Sequence, residues 1–569
     1  MREFNLLDEA WISVVTDYKG STKLVGMKEF FKDAHKYIAL AGDTKTQDFA
    51  VMRFLLAVLH TVFSRYDADG KPYEMIELNK RMQQVKEVYE EDESDYKDAL
   101  MDTWKDLWNS GKFPEIVDEY LEAWRDRFYL FDDKYPFYQV TKDDINPQKI
   151  SKSAPSEVMG KNINRLISES ANKIAIFSPK YSSDNNKEKL SYEQTVRWLI
   201  TYQSYTGLSD KVIFGKDKYK ASKGWLFDIG GVFLSSNNLF KTLLLNLQLV
   251  NYSNTEYNTT IEKPCWEFDT KETVSSYLSN NIVDNISQLY TAWSRAININ
   301  KFTEGKPFSM QIVKLPEIKH ENNFLEPMTI WRYNLSGENK EKFTPRKHQT
   351  NKAVWRSFGL ITKTEGEKNN SLRKPGIIDW LKRIENNVND KFIRINAISM
   401  EDDGNATSWV PTNEIYDYLN IEESIINDLR EGGWVERINM AVDETKEAVE
   451  FIYKQFINDI KKIRNLESND FVNNNVEIVY YEIDKTFRDW IFNLSYNDSK
   501  DEKIINWYDK LKVILFKQAE KMYQSSSPRD ITGIIEDNSI KNIFTAYNIF
   551  AMRINKKFSK KEVKNEKLK

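Results

Sequence analysis

Few residues in this chain have the types and spacings that catalysis or metal binding would need. The four histidines lie far apart and form no metal-ligand pattern: His35, His60, His320 and His348. The single cysteine, Cys265, precedes Trp266 and resembles a small core residue rather than a nucleophile. The sequence contains no Gly-x-Ser-x-Gly elbow, no His-Glu-x-x-His and no glycine-rich phosphate loop. We therefore predict no catalytic residue, no bound metal and no cofactor.

Two pairs of adjacent carboxylates are the remaining candidates for chemistry. Asp132-Asp133 and Asp402-Asp403 each lie in a predicted turn, where Asp is favoured because its side chain bonds to nearby backbone groups. Scattered carboxylates of this kind could also hold a divalent metal ion. A metal-dependent nuclease or hydrolase is therefore the alternative function.

The composition is that of a folded protein with more than one domain. The chain has 569 residues, and single cores stop growing at about 250–300 residues. Its 82 Lys and Arg residues nearly balance 86 Asp and Glu residues, which neither demands nor forbids a nucleic-acid partner. One cysteine excludes an internal disulfide and a cysteine-rich zinc site. We find no signal segment and no apolar run of about 18 residues, so we expect no membrane span and a cytoplasmic location.

The segment from Leu40 to His60 predicts a central helix around which other elements must pack. Thr44 and Gln47 have the spacing of a capping box at its start. Residues 49–59 are almost all apolar, which indicates a helix buried on every side. Arg53 interrupts this run, and a buried guanidinium needs a partner. We interpret His60 as an end-of-helix residue near the negative pole.

The remaining pattern predicts an α+β protein with two domains. Residues 4–15 suggest two short strands, and residues 266–409 contain further short β-like runs, from which we expect a mixed or mainly antiparallel sheet. Residues 415–551 are nearly all helical in spacing. We predict a large mixed α/β domain over residues 1–412 and a C-terminal four-helix bundle over residues 413–569.

Two polar stretches in the first domain predict surface loops. The first, residues 141–189, is rich in Ser, Lys, Asn and Asp, and loops of this length are usually functional or disordered. The second begins at Gly207-Leu-Ser-Asp210 and continues through a lysine-rich run over residues 211–223. These loops are the places where we expect binding residues.

Several stretches resemble, in the same order, the CasA family, the large subunit of the type I-E CRISPR surveillance complex Cascade. The resemblance begins with the N-terminal residues 4–14 and continues through the central-helix segment. Its most specific piece is Arg127-Phe-Tyr-Leu-Phe131 followed by Pro136-Phe-Tyr-Gln-Val140. The Thr242–Leu247 and Glu326-Pro-Met328 stretches also match, and a helical bundle follows.

The resemblance implies a non-enzymatic, DNA-inspecting subunit. Members of the family examine double-stranded target DNA for a short protospacer-adjacent motif, the PAM, from the minor groove. They insert a wedge that parts the duplex and help to start pairing with the CRISPR RNA. They contact other Cascade subunits and recruit a separate helicase–nuclease. A third possibility is a scaffold that binds only proteins.

The resemblance also nominates DNA-binding residues. The family's wedge lies at a hairpin tip after a β-run, which places Asn405 here as the wedge residue, between Gly404 and Ala406. Asn is shorter than the family's glutamine, and the nearby Asp402 and Asp403 would repel phosphate. The groove-reaching lysine matches Lys314, with Lys319 as the alternate.

Two loops carry the remaining nominated residues. The family's glycine-rich loop corresponds to Gly207-Leu-Ser-Asp210, which supplies Gly207 and Ser209. The 141–189 loop occupies the place of the family's mobile loop, where Lys161 and Arg165 are candidate contacts to guide RNA or neighbouring subunits. The cysteine cluster that holds zinc in some family members is absent, because only Cys265 is present.

Overall fold

A computed structural model of the chain describes residues 2–164, 188–251, 255–279, 283–362, 372–385, 387–388, 392–536 and 538–559. The chain forms two compact units. The first unit consists of Met1–Thr350, Glu365–Asn389 and Ile395–Asp417. The second unit consists of Asn351–Thr364, Asp390–Arg394 and Tyr418–Lys569.

Helices and strands alternate irregularly along the chain. The strands are β1 (Glu3–Asn5), β2 (Ile12–Val15), β3 (Thr22–Val25), β4 (Ala39–Leu40), β5 (Tyr129–Phe131), β6 (Ser156–Met159), β7 (Gly231–Ser235), β8 (Arg295–Ile299), β9 (Ser309–Lys314), β10 (Trp331–Tyr333), β11 (Phe343–Pro345), β12 (Leu372–Arg373), β13 (Phe392–Asp402), β14 (Pro411–Glu422), β15 (Ile534–Glu536) and β16 (Ser539–Lys541). The helices are α1 (Met27–Asp33), α2 (Lys45–Phe63), α3 (Glu93–Ser110), α4 (Ile116–Ala123), α5 (Tyr192–Tyr205), α6 (Leu239–Asn246), α7 (Thr270–Leu278), α8 (Ile286–Tyr290), α9 (Phe358–Thr362), α10 (Gly376–Ile384), α11 (Glu423–Ile426), α12 (Trp434–Glu447), α13 (Lys454–Arg464), α14 (Asp470–Phe492), α15 (Lys500–Gln524), α16 (Pro528–Thr532) and α17 (Ile543–Lys557).

Helix α2 is the buried centre of the first unit, as its apolar sequence predicted. Thr44 caps the helix, because its hydroxyl accepts a hydrogen bond from Gln47 N at 3.1 Å. Helices α5 and α8 pack along it. By length and composition alone α2 could cross a membrane. The sequence analysis did not predict this. However, 94% of its most apolar window is buried inside the protein, as in the core helix of a folded domain.

Arg53 has the partner that the sequence required, and that partner is Glu326. The Arg53 guanidinium donates two parallel hydrogen bonds to the Glu326 carboxylate, at 2.8 and 2.7 Å. Trp225 Nε1 also donates to Glu326, at 2.6 Å, and both charged side chains are almost fully buried. A buried ion pair is favourable only when its polar atoms are well bonded, and here both carboxylate oxygens and both terminal guanidinium nitrogens are bonded.

The sheets of the first unit are small and, where their registers are defined, antiparallel, which confirms the expected antiparallel character. Strand β9 lies between β6 and β8, with Ile312 opposite Ser156 on one side and Ile297 on the other. Strand β10 lies between β11 and β12. Strand β13 lies between β14 and β7.

The prediction of one long loop over residues 141–189 is wrong for the first part of that stretch. Asp144 completes a capping box with Thr141, which starts a 3₁₀ turn over Lys142–Ile145. Strand β6 then pairs along its whole length with residues 309–312 of β9, and Val158 supplies a buried side chain for that sheet. The composition hid this strand, since only one residue in four of it is buried.

The second unit is built around a helical bundle, as predicted. Helices α12 and α13 are joined without a break by a π-helical turn at Ala448–Tyr453. Helices α14, α15 and α17 pack against this long helix. Trp507 on α15 is fully buried, and its indole N–H donates to Thr445 on α12 at 2.9 Å. The two-stranded hairpin of β15 and β16 was not predicted.

Candidate nucleic-acid interface

A buried arginine on β8 holds the loop Gly207–Asp210 in place. Arg295 is completely buried, and its Nη2 donates to the carbonyl oxygen of Gly207 at 2.5 Å. Its Nε donates to the Asp210 carboxylate at 2.9 Å. The Gln203 side chain in turn accepts from the backbone N–H of Arg295 at 3.0 Å. Sequence reasoning missed Arg295, because a lone Arg in an apolar strand carries no signal of its partner.

Gly207 lies directly against the hairpin tip formed by residues 403–410. A methyl group at this position would overlap the carbonyl oxygen of Trp409 and lie 3.1 Å from that of Ser408. The next residue, Leu208, donates its backbone N–H to the same Ser408 oxygen at 2.6 Å. The backbone at this glycine is therefore in close contact with the hairpin, which a larger residue would prevent.

Lys314 reaches the same loop from the end of β9. Its half-buried side chain donates from Nζ to the carbonyl oxygen of Leu208 at 2.8 Å. Its own carbonyl accepts from the Tyr219 hydroxyl at 2.6 Å. Lys319, the alternate candidate, is exposed beyond the strand and is not part of this arrangement. The structure therefore brings together Lys314, the glycine loop and the hairpin tip.

The hairpin tip exposes Asn405 in a tight turn. Gly404 has a left-handed backbone with φ of +67°, which glycine adopts without strain. The side-chain oxygen of Asn405 accepts hydrogen bonds from the backbone N–H and hydroxyl of Thr407, at 3.1 and 2.8 Å. Its amide nitrogen Nδ2 forms no hydrogen bond within the part of the chain that the structure describes. Gly404, Asn405 and Ala406 are all exposed, so the tip offers small side chains and one amide donor.

The two acidic residues beside the tip are engaged in holding it. Asp402 lies 2.8 Å from Lys347 Nζ, and its carboxylate also accepts from Gly404 N at 2.9 Å. Asp403 accepts from the backbone N–H groups of Asn405 and Val410, each at 3.1 Å. Because their charges are paired or directed at backbone donors, these carboxylates repel an approaching phosphate less than the sequence suggested.

A second pair of charges holds the return side of the tip. Trp409 adopts a left-handed backbone with φ of +44°, and Lys223 Nζ lies 4.5 Å from its ring centre. Lys223 also lies 2.6 Å from the Asp228 carboxylate. Burial acts to raise the pKa of Asp228, but Lys223, His320 and Lys347 hold it below its ordinary value. Two lysines therefore hold the tip, Lys223 at Trp409 and Lys347 at Asp402. Both lysines also lie near the Asp228 carboxylate.

The remaining nominated residues are Ser209, Lys161 and Arg165. Ser209 is half-buried in the glycine loop. Lys161 lies in the 3₁₀ turn Gly160–Ile163 that follows β6, and it is half-buried. Arg165 lies outside the described residues.

Asp132 and Cys265, two of the candidates for catalysis, have surroundings that favour structural roles. Asp132 accepts from Arg2 at 2.7 Å and from the backbone of its own turn. Burial raises the pKa of the Cys265 thiol to about 12, so a reactive thiolate is not formed near neutral pH. Within the described ranges, no three His, Cys, Asp or Glu side chains group so that they could hold a metal ion.

Comparisons with known proteins identify the family. The family model for CRISPR-associated protein Cse1 matches residues 5–518. A curated relative, CRISPR-associated protein CasA/Cse1 of Thermus thermophilus, is 27% identical over 273 residues, which is 47% of this chain and 42% of the relative. The match therefore spans less than half the length of that relative.

Solved structures share the fold along almost the whole chain. Cse1 of Thermobifida fusca has a TM-score of 0.74 at 21% identity, with 98% of both chains covered. Cse1 of Acidimicrobium ferrooxidans has a TM-score of 0.69 at 17% identity, again with 98% of both chains covered. A chain from a structure described as a CRISPR RNA-guided surveillance complex has a TM-score of 0.63 at 13% identity, covering 92% of this chain and 100% of that one. The protein therefore belongs to the Cse1 family of CRISPR-associated proteins, as the CasA-like sequence pattern predicted.

Proposed function

We propose that this chain is the DNA-inspecting large subunit of an RNA-guided CRISPR surveillance complex. It recognises the PAM in double-stranded target DNA, helps to open the duplex for pairing with the CRISPR RNA, and recruits a separate helicase–nuclease. It has no catalytic activity of its own and acts in the cytoplasm. Membership of the Cse1 family supports this proposal, as does the likeness of its fold to a chain of a surveillance complex.

The convergence of three separate segments is the observation that carries the proposal. Leu208 accepts from Lys314 through its carbonyl and donates to Ser408 through its N–H, so one residue links β9, the glycine loop and the hairpin. These segments are about a hundred residues apart in sequence from one to the next. A surface built from a loop, a lysine and an exposed tip suits inspection of a groove, because each part approaches from a different element.

The chemistry of the tip suits the minor groove. That groove presents mainly acceptors, adenine N3 and thymine O2, with a single donor on guanine. The Asn405 amide nitrogen is a donor whose side chain is already oriented by the Thr407 hydrogen bonds. A single hydrogen-bond donor distinguishes few base pairs in the minor groove, so the chain would accept several related motifs.

Duplex opening requires an element that does not yield on contact with the DNA. Unstacking a base step costs a few kcal/mol, which backbone contacts and new RNA–DNA pairs must offset. The tip is held by Asp402–Lys347 on one side and Trp409–Lys223 on the other. In this proposal Gly404 and Ala406 let the tip approach the base pairs closely, and Asn405 occupies the wedge position.

Other parts of the chain supply the contacts to partners in this proposal. Ser209 lies two residues after Gly207, in the same loop, and forms part of the motif-reading surface. Lys161 and Arg165 contact the end of the CRISPR RNA or neighbouring Cascade subunits. The helical bundle provides the larger surface for those subunits.

Reconstitution tests the proposed function directly. The affinity of the guide-loaded complex for duplex DNA is measured with and without this chain, at one fixed salt concentration. Targets carry either a matching or a scrambled motif. We expect the chain to confer motif-dependent binding. Equal binding with and without the chain would reject the proposal and favour a protein scaffold, whereas metal-dependent cleavage by the isolated chain would favour the nuclease.

A further inference from the structure

Two arginines share one face of the three-stranded sheet formed by β10, β11 and β12. Arg332 lies opposite Thr344 in the antiparallel register. Arg346 continues the same pairing, since its backbone N–H donates to the carbonyl oxygen of Ile330 at 2.8 Å. Side chains two positions apart on a strand point to the same face, and diagonal neighbours across a pair are about 7–8 Å apart. Arg332 and Arg346 are diagonal neighbours of this kind.

The opposite face of this sheet fixes its orientation. Phe324 packs edge-on against Trp331 at 5.1 Å between ring centres, and against Phe343 at 5.7 Å. Tyr333 contacts Phe343 at 5.2 Å. Because these aromatic side chains cover one face, the two arginines are confined to the other.

The two guanidinium groups repel each other without a compensating acid in the described chain. Neither Arg332 nor Arg346 forms an ion pair or a side-chain hydrogen bond with a described residue, although Arg346 is half-buried and Arg332 is exposed. Burial and the neighbouring charge of Arg332 together lower the pKa of Arg346 below the ordinary arginine value. Like charges at this separation repel each other, most strongly where burial reduces the screening by water. An anion bound between the two groups would remove this cost.

The backbone at Arg346 is closely packed near the base of the hairpin. A side chain at Gly230 would overlap the carbonyl oxygen of Arg346, so the two backbones are in close contact. The next residue, Lys347, holds Asp402 at the base of the tip. Arg346 therefore directly precedes, in the chain, a residue that positions the proposed wedge.

We propose that Arg332 and Arg346 form a clamp for the phosphodiester backbone of the duplex that the hairpin tip engages. This inference rests on the proposed DNA-inspecting function and names a binding site for it outside the nominated residues. Guanidinium groups match phosphate oxygens through paired donors, and phosphate contacts position a duplex without reading its sequence. The clamp would hold the DNA while the tip reads the motif.

Salt dependence of DNA binding tests the clamp. Each phosphate neutralised by a basic side chain contributes about 0.9 to the slope of log affinity against log salt concentration. The guide-loaded complex containing the double variant Arg332→Gln and Arg346→Gln should lose between about one and two units of that slope. Its preference for a matching over a scrambled motif should be unchanged. Arg332→Lys with Arg346→Lys keeps both charges and should retain most of the slope.

The control removes one charge from the same hairpin without altering the strand face. Lys340 is exposed between β10 and β11, and Lys340→Gln should leave the slope unchanged. An unchanged slope in the double-Gln complex would overturn the clamp and leave an acidic protein as the partner of the pair. If even the unsubstituted complex shows no motif preference, the proposed function has failed, which is a distinguishable result. A thermal unfolding midpoint equal to or above that of the unsubstituted chain confirms that the variant is folded.

Discussion

Lys314 Nζ donates to the carbonyl oxygen of Leu208 at 2.8 Å, which joins a strand lysine to the glycine loop. The same residue, Leu208, donates its backbone N–H to Ser408 of the hairpin tip. A change in any one of the three segments should therefore disturb the other two. This dependence allows local effects on DNA reading to be separated from loss of the fold.

Substitution of Gly207 should displace the hairpin tip. In Gly207→Ala the new methyl group would overlap the carbonyl oxygen of Trp409, and overpacking of this kind costs about 1–3 kcal/mol. We expect the reconstituted complex to lose about tenfold in affinity for DNA with a matching motif. Gly215→Asn is the control, because Gly215 has φ of +62° in open space and Asn tolerates that conformation. Full affinity in Gly207→Ala would show that the close approach is dispensable.

Lys314 and Lys319 can be distinguished by one pair of variants. Lys314→Met keeps the length of the side chain but leaves the Leu208 carbonyl without its charged donor, and such bonds contribute about 1.5–3 kcal/mol. Affinity for the matching motif, measured by fluorescence anisotropy, should fall by about tenfold or more. Lys319→Met should have little effect, since Lys319 is exposed and outside the arrangement. The reverse order of effects would make Lys319 the groove-reaching residue.

Asn405 can be tested without destroying its turn. Asn405→Asp keeps an oxygen for the Thr407 hydrogen bonds but replaces the amide donor with a negative charge. We expect motif-dependent binding to be lost while the thermal unfolding midpoint stays the same. Asn405→Gln should retain binding, because it keeps the donor on a longer side chain. If the Asp variant still discriminates between motifs, Asn405 is not the reading residue.

Removing one partner of the Arg53–Glu326 pair should strongly destabilise the first unit. Arg53→Met leaves the Glu326 carboxylate buried without a counter-charge, which costs about 3–5 kcal/mol. The double variant Arg53→Met with Glu326→Gln should be more stable than the single variant, as measured by urea unfolding. A single variant as stable as the double would mean that water reaches the pair.

The same pair predicts the response of stability to acid. Burial acts to raise the pKa of Glu326, but Arg53 and hydrogen bonds from Trp225 and Met328 hold it below its ordinary value of 4.5. A carboxyl whose pKa is lowered on folding stabilises the protein above the unfolded-state value. This contribution should be lost as the pH falls below 4.5, and Arg53→Met should lack the loss.

His60 should add a second, separate dependence on pH. Burial, with a smaller effect of Arg53, lowers the pKa of His60 from 6.5 to about 3. Between pH 6.5 and about 3 the unfolded chain therefore binds a proton at His60 that the folded chain does not bind. The free energy of unfolding should fall by about 1.4 kcal/mol for each pH unit below 6.5 in this range. His60→Leu should abolish this part of the slope. A proton NMR titration of His60 near pH 6.5 in the folded protein would contradict it.

The sequence predicted helices and strands better than the contacts between residues that are distant in the chain. Helix α2 was recognisable because residues 49–59 are almost all apolar. Arg53 within this run indicated that a partner for its charge was needed. Nothing in the sequence identified Glu326 as that partner, because the two lie far apart in the chain. Strand β6 was missed, since a strand with one buried residue looks like a loop.

The candidate site shows the same division. Gly207, Lys314 and Asn405 were nominated by resemblance, yet their convergence depends on pairings between distant strands that no local pattern reveals. Asp402 and Asp403 looked like a source of repulsion because sequence does not show their partners. The structure supplies Lys347 for the first and backbone N–H groups for the second.

Opening of the duplex beside the motif tests the central claim most directly. A fluorescent base analogue, 2-aminopurine, is placed in the base pair adjacent to the motif, and the guide-loaded complex is added with or without this chain. We predict that fluorescence rises only when the chain and a matching motif are both present, and that Asn405→Asp reduces the rise. An equal rise without the chain, or with a scrambled motif, would contradict the account.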